Sequence, residues 1–262
     1  MGTMNAGTAG RSPFGVLVIH GFTATRESVE LLLHPLQSLG IPVSMPLLAG
    51  HGGPSPAALK GLGWMDWLHD ADVAFRELGD RADRIIIVGH SMGALLALNL
   101  AVRHPGKVDS LVLVATAIRL VSVLAPGRPL NFAALPISLI VKRWGLKSVF
   151  ADPEGAACRG HYEWVPTDAV LSFFRLIKKT QKLLGAVHCP VFILHNRTES
   201  TVLPESVGVL NSSLGTPDSL QSVLWLSRSG HQVFCDCERE DAVDAIIRYV
   251  SGRMGRSEAR NE

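Results

Sequence analysis

Short apolar runs alternate with longer segments of helical periodicity along most of the chain. The apolar runs are continuous, end in Gly, Pro or polar residues, and have the length of strands that are buried on both faces of a parallel sheet. They occupy residues 15–21, 41–47, 84–90, 110–116, 190–196 and 222–227. Strand and helix in repeated alternation predict an α/β fold with a mostly parallel, doubly wound sheet.

Between these runs, apolar residues recur at helical spacing. The pattern covers residues 29–36, 64–78 and 95–102. Pro35 conflicts with the first of these helices, because proline inside a helix removes a hydrogen bond and clashes with the preceding turn. We therefore expect that helix to kink or to begin late.

The alternation is interrupted between the strand that ends near Thr116 and the strand that begins at Pro190. This interval is rich in proline, glycine and large apolar residues, and it is much longer than one crossover helix requires. It predicts an inserted cap followed by a helix near residues 168–184, with a long loop that makes some core contact as the alternative. The predicted division is a flexible tail at residues 1–13, a core at 14–118 and 186–252, the cap and its following helix at 119–185, and a flexible tail at 253–262.

The charge balance narrows the range of partners. The 262 residues include 25 Lys and Arg against 23 Asp and Glu, a formal net charge of +2, without a long run of like charge. This balance argues against a nucleic-acid surface and against a polybasic membrane surface. Charged residues and prolines interrupt the most hydrophobic region, residues 111–150, so we predict no transmembrane span. The residues before Phe14 contain no apolar export signal, which favours a cytoplasmic location.

The cysteines do not follow the spacing of a zinc site or of a disulfide framework. They are Cys158, Cys189, Cys235 and Cys237. We expect them to be reduced thiols in a cytoplasmic protein.

The sequence GHSMG, residues 89–93, directly follows one predicted strand and precedes a helical pattern. A serine on a sharp strand-to-helix turn needs small residues around it, so that helix and strand can approach and the hydroxyl can stand clear. Gly89, Gly93 and Ala94 meet that demand. Ser91 is therefore a candidate nucleophile, with an ordinary glycine-rich turn as the alternative.

A serine hydroxyl needs a base to take its proton, and a third group must orient that base. His231 lies just after the last predicted strand, where a loop can return it to the same edge of the sheet as Ser91. The other histidines fall on helices, at strand ends, in a Gly-rich loop, or in or beyond the cap. They are His20, His34, His51, His69, His90, His104, His161, His188 and His195.

The developing oxyanion of such a reaction needs backbone N–H donors from a loop after the first strand and from the residue that follows the nucleophile. The segment HGF, residues 20–22, ends the first predicted strand. The expected donors are the N–H groups of Phe22 and Met92.

Several motifs in order resemble those of the bacterial α/β-hydrolase carboxylesterases and monoacylglycerol lipases. They are HGFTAT after the first strand, GHG at residues 50–52, WMDW at residues 64–67, GHSMG, and SGH around His231. The resemblance extends from Val16 to Val250 and is weakest in the cap. It implies an α/β-hydrolase fold and a small ester substrate hydrolysed by Ser91 and His231, with Phe22 and Met92 as oxyanion donors and with no metal or cofactor.

The resemblance also indicates the orienting acid. Similar chains carry an Arg-x-Asp-x-x-Val-x-Pro pattern after the strand that precedes the histidine loop, and Arg197, Val202 and Pro204 match it. Glu199 occupies the position of the aspartate. Glutamate is accepted as the acid in the chain order serine, acid, histidine.

The longer side chain changes the reach to the imidazole, and a displacement of about 1 Å can cost about a hundredfold in rate. The alternatives are less well placed: Glu205 and Asp218 fall in the following helix or turn, and Asp236 is very near His231 in sequence. Glu199 is the predicted acid, with a solvated loop glutamate as the alternative.

Together with these residues, the resemblance implies a serine esterase that acts on short to medium acyl esters, with monoacylglycerols as one substrate class, through an acyl-enzyme on Ser91. The apolar cap suggests a pocket for an acyl chain. A lactonase or a C–C bond hydrolase could use the same residues. A hydrolase-like scaffold that binds a ligand without turnover is the remaining alternative, because of the substitution at Glu199.

Overall fold

A computed structural model describes residues 11–146, 150–154, 156–158 and 162–258. The strands are β1 (Ser12–Ile19), β2 (Val43–Ser44), β3 (Ala82–His90), β4 (Val108–Val114), β5 (Arg143–Gly145), β6 (Trp164–Pro166), β7 (Val191–Asn196) and β8 (Gln221–Leu226). The α-helices are α1 (Glu27–Glu30), α2 (Leu33–Gln37), α3 (Trp64–Gly79), α4 (Met92–Arg103), α5 (Ala134–Ile140), α6 (Thr167–Gln181), α7 (Glu205–Ser213) and α8 (Arg239–Glu258).

The main sheet has six strands in the order β2-β1-β3-β4-β7-β8. Every neighbouring pair in it is parallel. Each strand overlaps one of the apolar runs of the sequence, so the predicted α/β fold with a parallel sheet is confirmed. Parallel pairing brings the carboxyl ends of all six strands to one edge, where ligands bind in open α/β sheets.

Successive strand residues point to opposite faces of this sheet, and both faces are buried. Ile87 and Leu113 belong to the core that α3, α4 and α6 cover. Val88 and Val112 belong to the core that α1, α2 and α8 cover. The two layers explain why the strands appear in sequence as continuous apolar runs rather than as alternating ones.

The first helical segment is broken as predicted. α1 ends at Glu30, α2 begins at Leu33, and Pro35 lies in the first turn of α2. Proline is tolerated there because the N–H that it lacks has no partner inside the helix.

The inserted segment, residues 115–190 between β4 and β7, contains α5, β5, β6 and α6. α6 packs against α3 and α4 of the core. β5 and β6 form a separate antiparallel pair, and α5 precedes them. Ala157 donates a hydrogen bond of 2.8 Å to the carbonyl of Cys235, which lies in the loop that follows β8.

Both predicted tails need correction. β1 begins at Ser12, so residues 12–13 belong to the sheet, while residues 1–10 lie outside the described residues. Residues 253–258, predicted to be flexible, continue α8 to Glu258. Arg253 anchors that end, because its guanidinium donates to both carboxylate oxygens of Asp109 at 2.8 and 3.0 Å.

The prediction of reduced cysteines is wrong for two of them. Cys158 and Cys235 form a disulfide with a Cα–Cα distance of 5.5 Å. Cys189 and Cys237 are free. The pairing partners are separated by 77 residues in sequence, so local spacing could not reveal them.

Among the described residues, no helix is both long enough and apolar enough to cross a bilayer. α8 is 20 residues long but is rich in charged side chains.

α4 lies unusually close to β1. A Cβ on Gly93 would overlap the backbone carbonyls of Ile19 and His20. Only glycine permits this approach, which places the start of α4 directly beside the end of β1.

We expect Gly93→Ala to lower the free energy of unfolding by about 1–3 kcal/mol or more, because the added methyl group must push α4 away from β1. The matched control is Gly208→Ala in α7, where a Cβ would meet nothing within 4 Å. That change should raise the free energy of unfolding by about 0.5–1 kcal/mol. Urea unfolding followed by circular dichroism measures both values, and equal stability of the two variants would contradict the close contact.

Alkylation of thiols tests the cysteine assignment. Denatured but unreduced protein should present two reactive thiols, from Cys189 and Cys237, and reduction should add two more. In the native protein at pH 8 only the exposed Cys237 should react, because burial raises the pKa of Cys189 to about 12. At that pKa only about one thiol in ten thousand is ionised. Mass spectrometry of peptides locates the labels, and four reactive thiols before reduction would exclude the disulfide.

Candidate active site

Three candidate residues from distant parts of the sequence meet at the carboxyl edge of the sheet. Ser91 follows β3, Glu199 lies in the loop after β7, and His231 lies in the loop after β8. Ser91 Oγ is 2.9 Å from His231 Nε2. His231 Nδ1 is 2.9 Å from Glu199 Oε1. The three side chains therefore form a continuous line from hydroxyl to carboxylate.

The backbone of Ser91 is strained. Its φ is 54° and its ψ is −111°, in a region that residues with a side chain rarely adopt. The Ser91 N–H donates to the carbonyl of Val114 at 2.8 Å, which ties the turn to β4. A Cβ at Gly89 would overlap the backbone of Ala94, so the turn needs the small residues that the sequence supplies.

Glu199 is buried and its Oε1 accepts several hydrogen bonds. The N–H groups of Thr201 and Val202 donate to this oxygen at 2.9 and 2.6 Å. Burial by itself would raise the pKa of the Glu199 carboxyl, but the charge and hydrogen bonding of His231 and the Val202 N–H outweigh burial and hold the pKa below its usual value. Glu199 is thus a stable carboxylate, not a solvated loop residue.

His231 Nδ1 and Glu199 Oε1 are within hydrogen-bonding distance, but their relative orientation is not that of a well-directed hydrogen bond. Nδ1 of His231 remains among the buried polar atoms that lack a well-directed partner, although Glu199 Oε1 is 2.9 Å away. Hydrogen bonds of catalytic groups are often poorly aligned before substrate binds and become aligned in the complex.

Two further carboxylates shape the loop that carries His231. Glu238 accepts hydrogen bonds from the N–H groups of Ser227, Arg228 and Ser229 at 3.2, 2.8 and 2.7 Å. The Oγ of Ser229 in turn accepts a bond of 2.9 Å from the Glu238 N–H. Glu238 therefore fixes the backbone immediately before the histidine.

Asp236 also binds backbone N–H groups of this loop. It accepts from the N–H of Gly230 at 2.7 Å and from that of Cys237 at 2.8 Å. It also accepts from Ala151 at 2.6 Å and from Asp152 at 3.3 Å, both in the inserted segment. Burial acts to raise the pKa of Asp236, but these backbone donors outweigh it and lower the pKa.

The alternative acids do not take the position of Glu199. Asp236 is occupied by backbone donors, while Glu205 and Asp218 are exposed, at the start of α7 and just before β8. Among these carboxylates, the structure places only Glu199 at His231 Nδ1.

The predicted oxyanion donors, Phe22 and Met92, belong to the two segments that adjoin Ser91. Gly21 approaches the nucleophile so closely that a Cβ there would be 3.2 Å from Ser91 Cβ. Phe22 follows it, and its ring stacks on Phe173 of α6 with centroids 4.9 Å apart. Met92 is the first residue of α4, so its N–H is one of the free donors of a helix N-terminus.

Three other histidines surround the site in uncharged form. Burial is the main cause that lowers the pKa of His20 to about 3, of His51 to about 4 and of His90 to about 3. His90 Nε2–H donates to the carbonyl of His231 at 2.8 Å and supports its backbone. These neutral rings add no positive charge next to the Ser91 and His231 pair.

Sequence reasoning missed the supporting residues Asp236, Glu238 and His90. A carboxylate that binds backbone N–H groups leaves no spacing pattern, because the donors have no side-chain signature. The cluster of acidic residues shortly after His231 was the available signal.

Comparison with known proteins shows related hydrolases. The chain is 26% identical over 248 residues to a thermostable monoacylglycerol lipase of Bacillus sp. (strain H-257), covering 94% of each protein. It is 24% identical over 226 residues to a carboxylesterase of Bacillus subtilis (strain 168), covering 86% of this chain and 87% of that one. A solved structure from the pair LipS and LipT, two metagenome-derived lipolytic enzymes, superposes with a TM-score of 0.77 at 28% identity, over 91% of this chain and 95% of that chain.

The family model of the serine aminopeptidases, S33 (Hydrolase_4), matches residues 14–238. This range contains Ser91, Glu199 and His231 together with the sheet that positions them. The chain belongs to this family, which has the α/β-hydrolase fold.

Proposed function

We propose that the protein is a serine hydrolase that cleaves carboxylic esters of short to medium acyl chains, including monoacylglycerols, through an acyl-enzyme on Ser91. The observation that carries this proposal is the line of contacts from Ser91 Oγ through His231 to Glu199, with both steps at 2.9 Å. The names of the related lipase and carboxylesterase support the ester substrate class.

Acylation begins when Ser91 Oγ attacks the ester carbonyl carbon and His231 Nε2 takes the hydroxyl proton. The carbonyl oxygen becomes an oxyanion that the N–H groups of Phe22 and Met92 stabilise. Glu199 stabilises the imidazolium ion that forms at the same time. His231 then returns the proton to the leaving alkoxide, which departs as an alcohol and leaves the acyl group on Ser91.

Deacylation repeats the sequence with water. His231 Nε2 takes a proton from water as the water oxygen attacks the acyl carbon. The second tetrahedral intermediate collapses, the carboxylic acid leaves, and His231 returns the proton to Ser91 Oγ. The enzyme is regenerated without any change in its own atoms.

The surroundings of Ser91 favour an apolar acyl group. The ring of Phe22, which follows the residue that adjoins Ser91, packs on Phe173 at 4.9 Å and on Trp67 at 5.3 Å. Aminopeptidase substrates carry an ammonium group, which calls for a nearby free carboxylate. Glu199 and Asp236 are already engaged by the histidine and by backbone N–H groups. An aromatic wall suits an acyl chain better than a charged amine.

Ester turnover that depends on Ser91 is the primary test. Wild type should release p-nitrophenol from esters of graded acyl length, and Ser91→Ala should lower kcat by roughly 10³-fold or more. A serine-directed phosphonate should add one adduct to wild type, located on Ser91 by peptide mass spectrometry, and none to Ser91→Ala. Labelling without turnover of any ester would favour a binding scaffold. Lactones, C–C bond substrates and amino-acid p-nitroanilides, assayed alongside, distinguish the other hydrolase classes.

Removal of the acid tests the role of Glu199. Glu199→Ala and Glu199→Gln should each lower kcat by roughly 10²- to 10⁴-fold, because the imidazolium ion loses its counter-charge. The Glu199→Gln side chain keeps an oxygen that can accept from the N–H groups of Thr201 and Val202. A loss of activity in that variant therefore cannot be explained by loss of these loop hydrogen bonds. Glu205→Ala, which removes an exposed glutamate nearby, is the matched control and should retain wild-type kcat. Near-normal activity of both Glu199 variants would assign the acid role to another residue.

A further inference from the structure

A second histidine lies on the far side of Glu199. His195 is the fifth residue of β7 and its side chain is 1% exposed. It pairs in register with Trp225 of β8, and its ring meets the Trp225 indole edge-to-face at 5.7 Å. Arg197 covers the same indole, with its guanidinium carbon 4.6 Å from the ring centroid. The imidazole of His195 is therefore held by the sheet and by an aromatic neighbour.

The two oxygens of Glu199 have unequal environments. Oε1 accepts from Thr201 and Val202 and lies next to His231. Oε2 lies 3.9 Å from Nε2 of His195. In the part of the chain that the structure describes, neither Oε2 nor this Nε2 has a hydrogen-bond partner, and both are buried. Two buried polar atoms thus face each other across a short gap.

An unsatisfied buried carboxylate oxygen next to an unsatisfied ring nitrogen is costly, whereas a hydrogen bond between them is favourable. The gap of 3.9 Å is about 1 Å longer than an N–H···O hydrogen bond. Rotation of the carboxylate about its last bond moves both oxygens together. The same movement that brings Oε2 to His195 therefore changes the direction in which Oε1 faces His231 Nδ1.

We propose that His195 is a positioning residue for the reaction assigned to Ser91: its Nε2–H holds Oε2 of Glu199 and thereby aligns Oε1 with the Nδ1–H of His231. This inference rests on the proposed function. A glutamate has one more rotatable bond than an aspartate, so its carboxylate needs an additional contact to keep one orientation. His195, four residues earlier on a rigid strand, supplies it.

The electrostatic environment agrees with this role. Burial is the main cause that lowers the pKa of His195, and the Glu199 carboxylate opposes that effect. The charge of His231 also lowers this pKa, and the nearby Val202 backbone raises it. A neutral imidazole protonated at Nε2 can donate to the carboxylate without adding a charge that would compete with His231.

The test compares His195→Phe with His195→Gln. Phenylalanine keeps the ring but removes the donor, so kcat for an ester should fall roughly 10- to 100-fold with little change in KM. Glutamine places an amide N–H near the position of Nε2 and should restore most of that loss. His34→Phe, an exposed histidine on α2, is the matched control and should match wild type. Thermal unfolding of each variant shows that the compared proteins are folded.

A double-mutant cycle separates positioning from a general packing role. In the Glu199→Ala background, His195→Phe should cause no further loss of kcat, because the carboxylate that it orients is absent. Nitrogen NMR of the ring should show the His195 proton on Nε2. An equal loss of kcat in both backgrounds, no loss in wild type, or a proton on Nδ1 alone would overturn the inference. If wild type and Ser91→Ala hydrolyse every ester at the same rate, the proposed function fails instead, and the NMR result still decides the contact.

Discussion

The close approach of α4 to β1 is the constraint on which the site depends. Gly93 allows the helix to begin against the carbonyl of Ile19, and the chain must then turn sharply at Ser91. The strain at Ser91 is maintained because the buried sheet on one side and α4 on the other leave no relaxed alternative. The same contact brings the start of α4 and the loop at Gly21 next to Ser91. Ser91 and the two segments that adjoin it are thus positioned by one packing requirement.

Buried carboxylates organise the other half of the site. Glu199 serves the imidazole, while Asp236 and Glu238 bind backbone N–H groups of the loop that presents His231. Each carboxylate remains charged because N–H donors replace the water that burial removes. Asp236 and Glu238 therefore fix the backbone next to His231, whereas Glu199 orients its ring.

Sequence patterns predicted the sheet and indicated Ser91 and His231 as candidate residues, because buried parallel strands and a strand-to-helix serine turn leave patterns that local reasoning can detect. Glu199 could be found only through resemblance, since its departure from aspartate obscures the pattern. At the extended end of α8, Arg253 reaches Asp109, and the disulfide joins Cys158 to Cys235. Such contacts between distant segments have no local signal, so both were predicted wrongly.

Asp236 also has a mechanical consequence. One carboxylate binds the amides of Ala151 and Asp152 in the inserted segment and that of Gly230 beside the histidine, and the neighbouring Cys235 is covalently attached to Cys158. A displacement of Ala151 and Asp152 would therefore remove hydrogen-bond donors from a buried carboxylate that also binds the N–H of Gly230, next to His231. The position of the imidazole and that of the segment between β4 and β7 are thus coupled through one side chain.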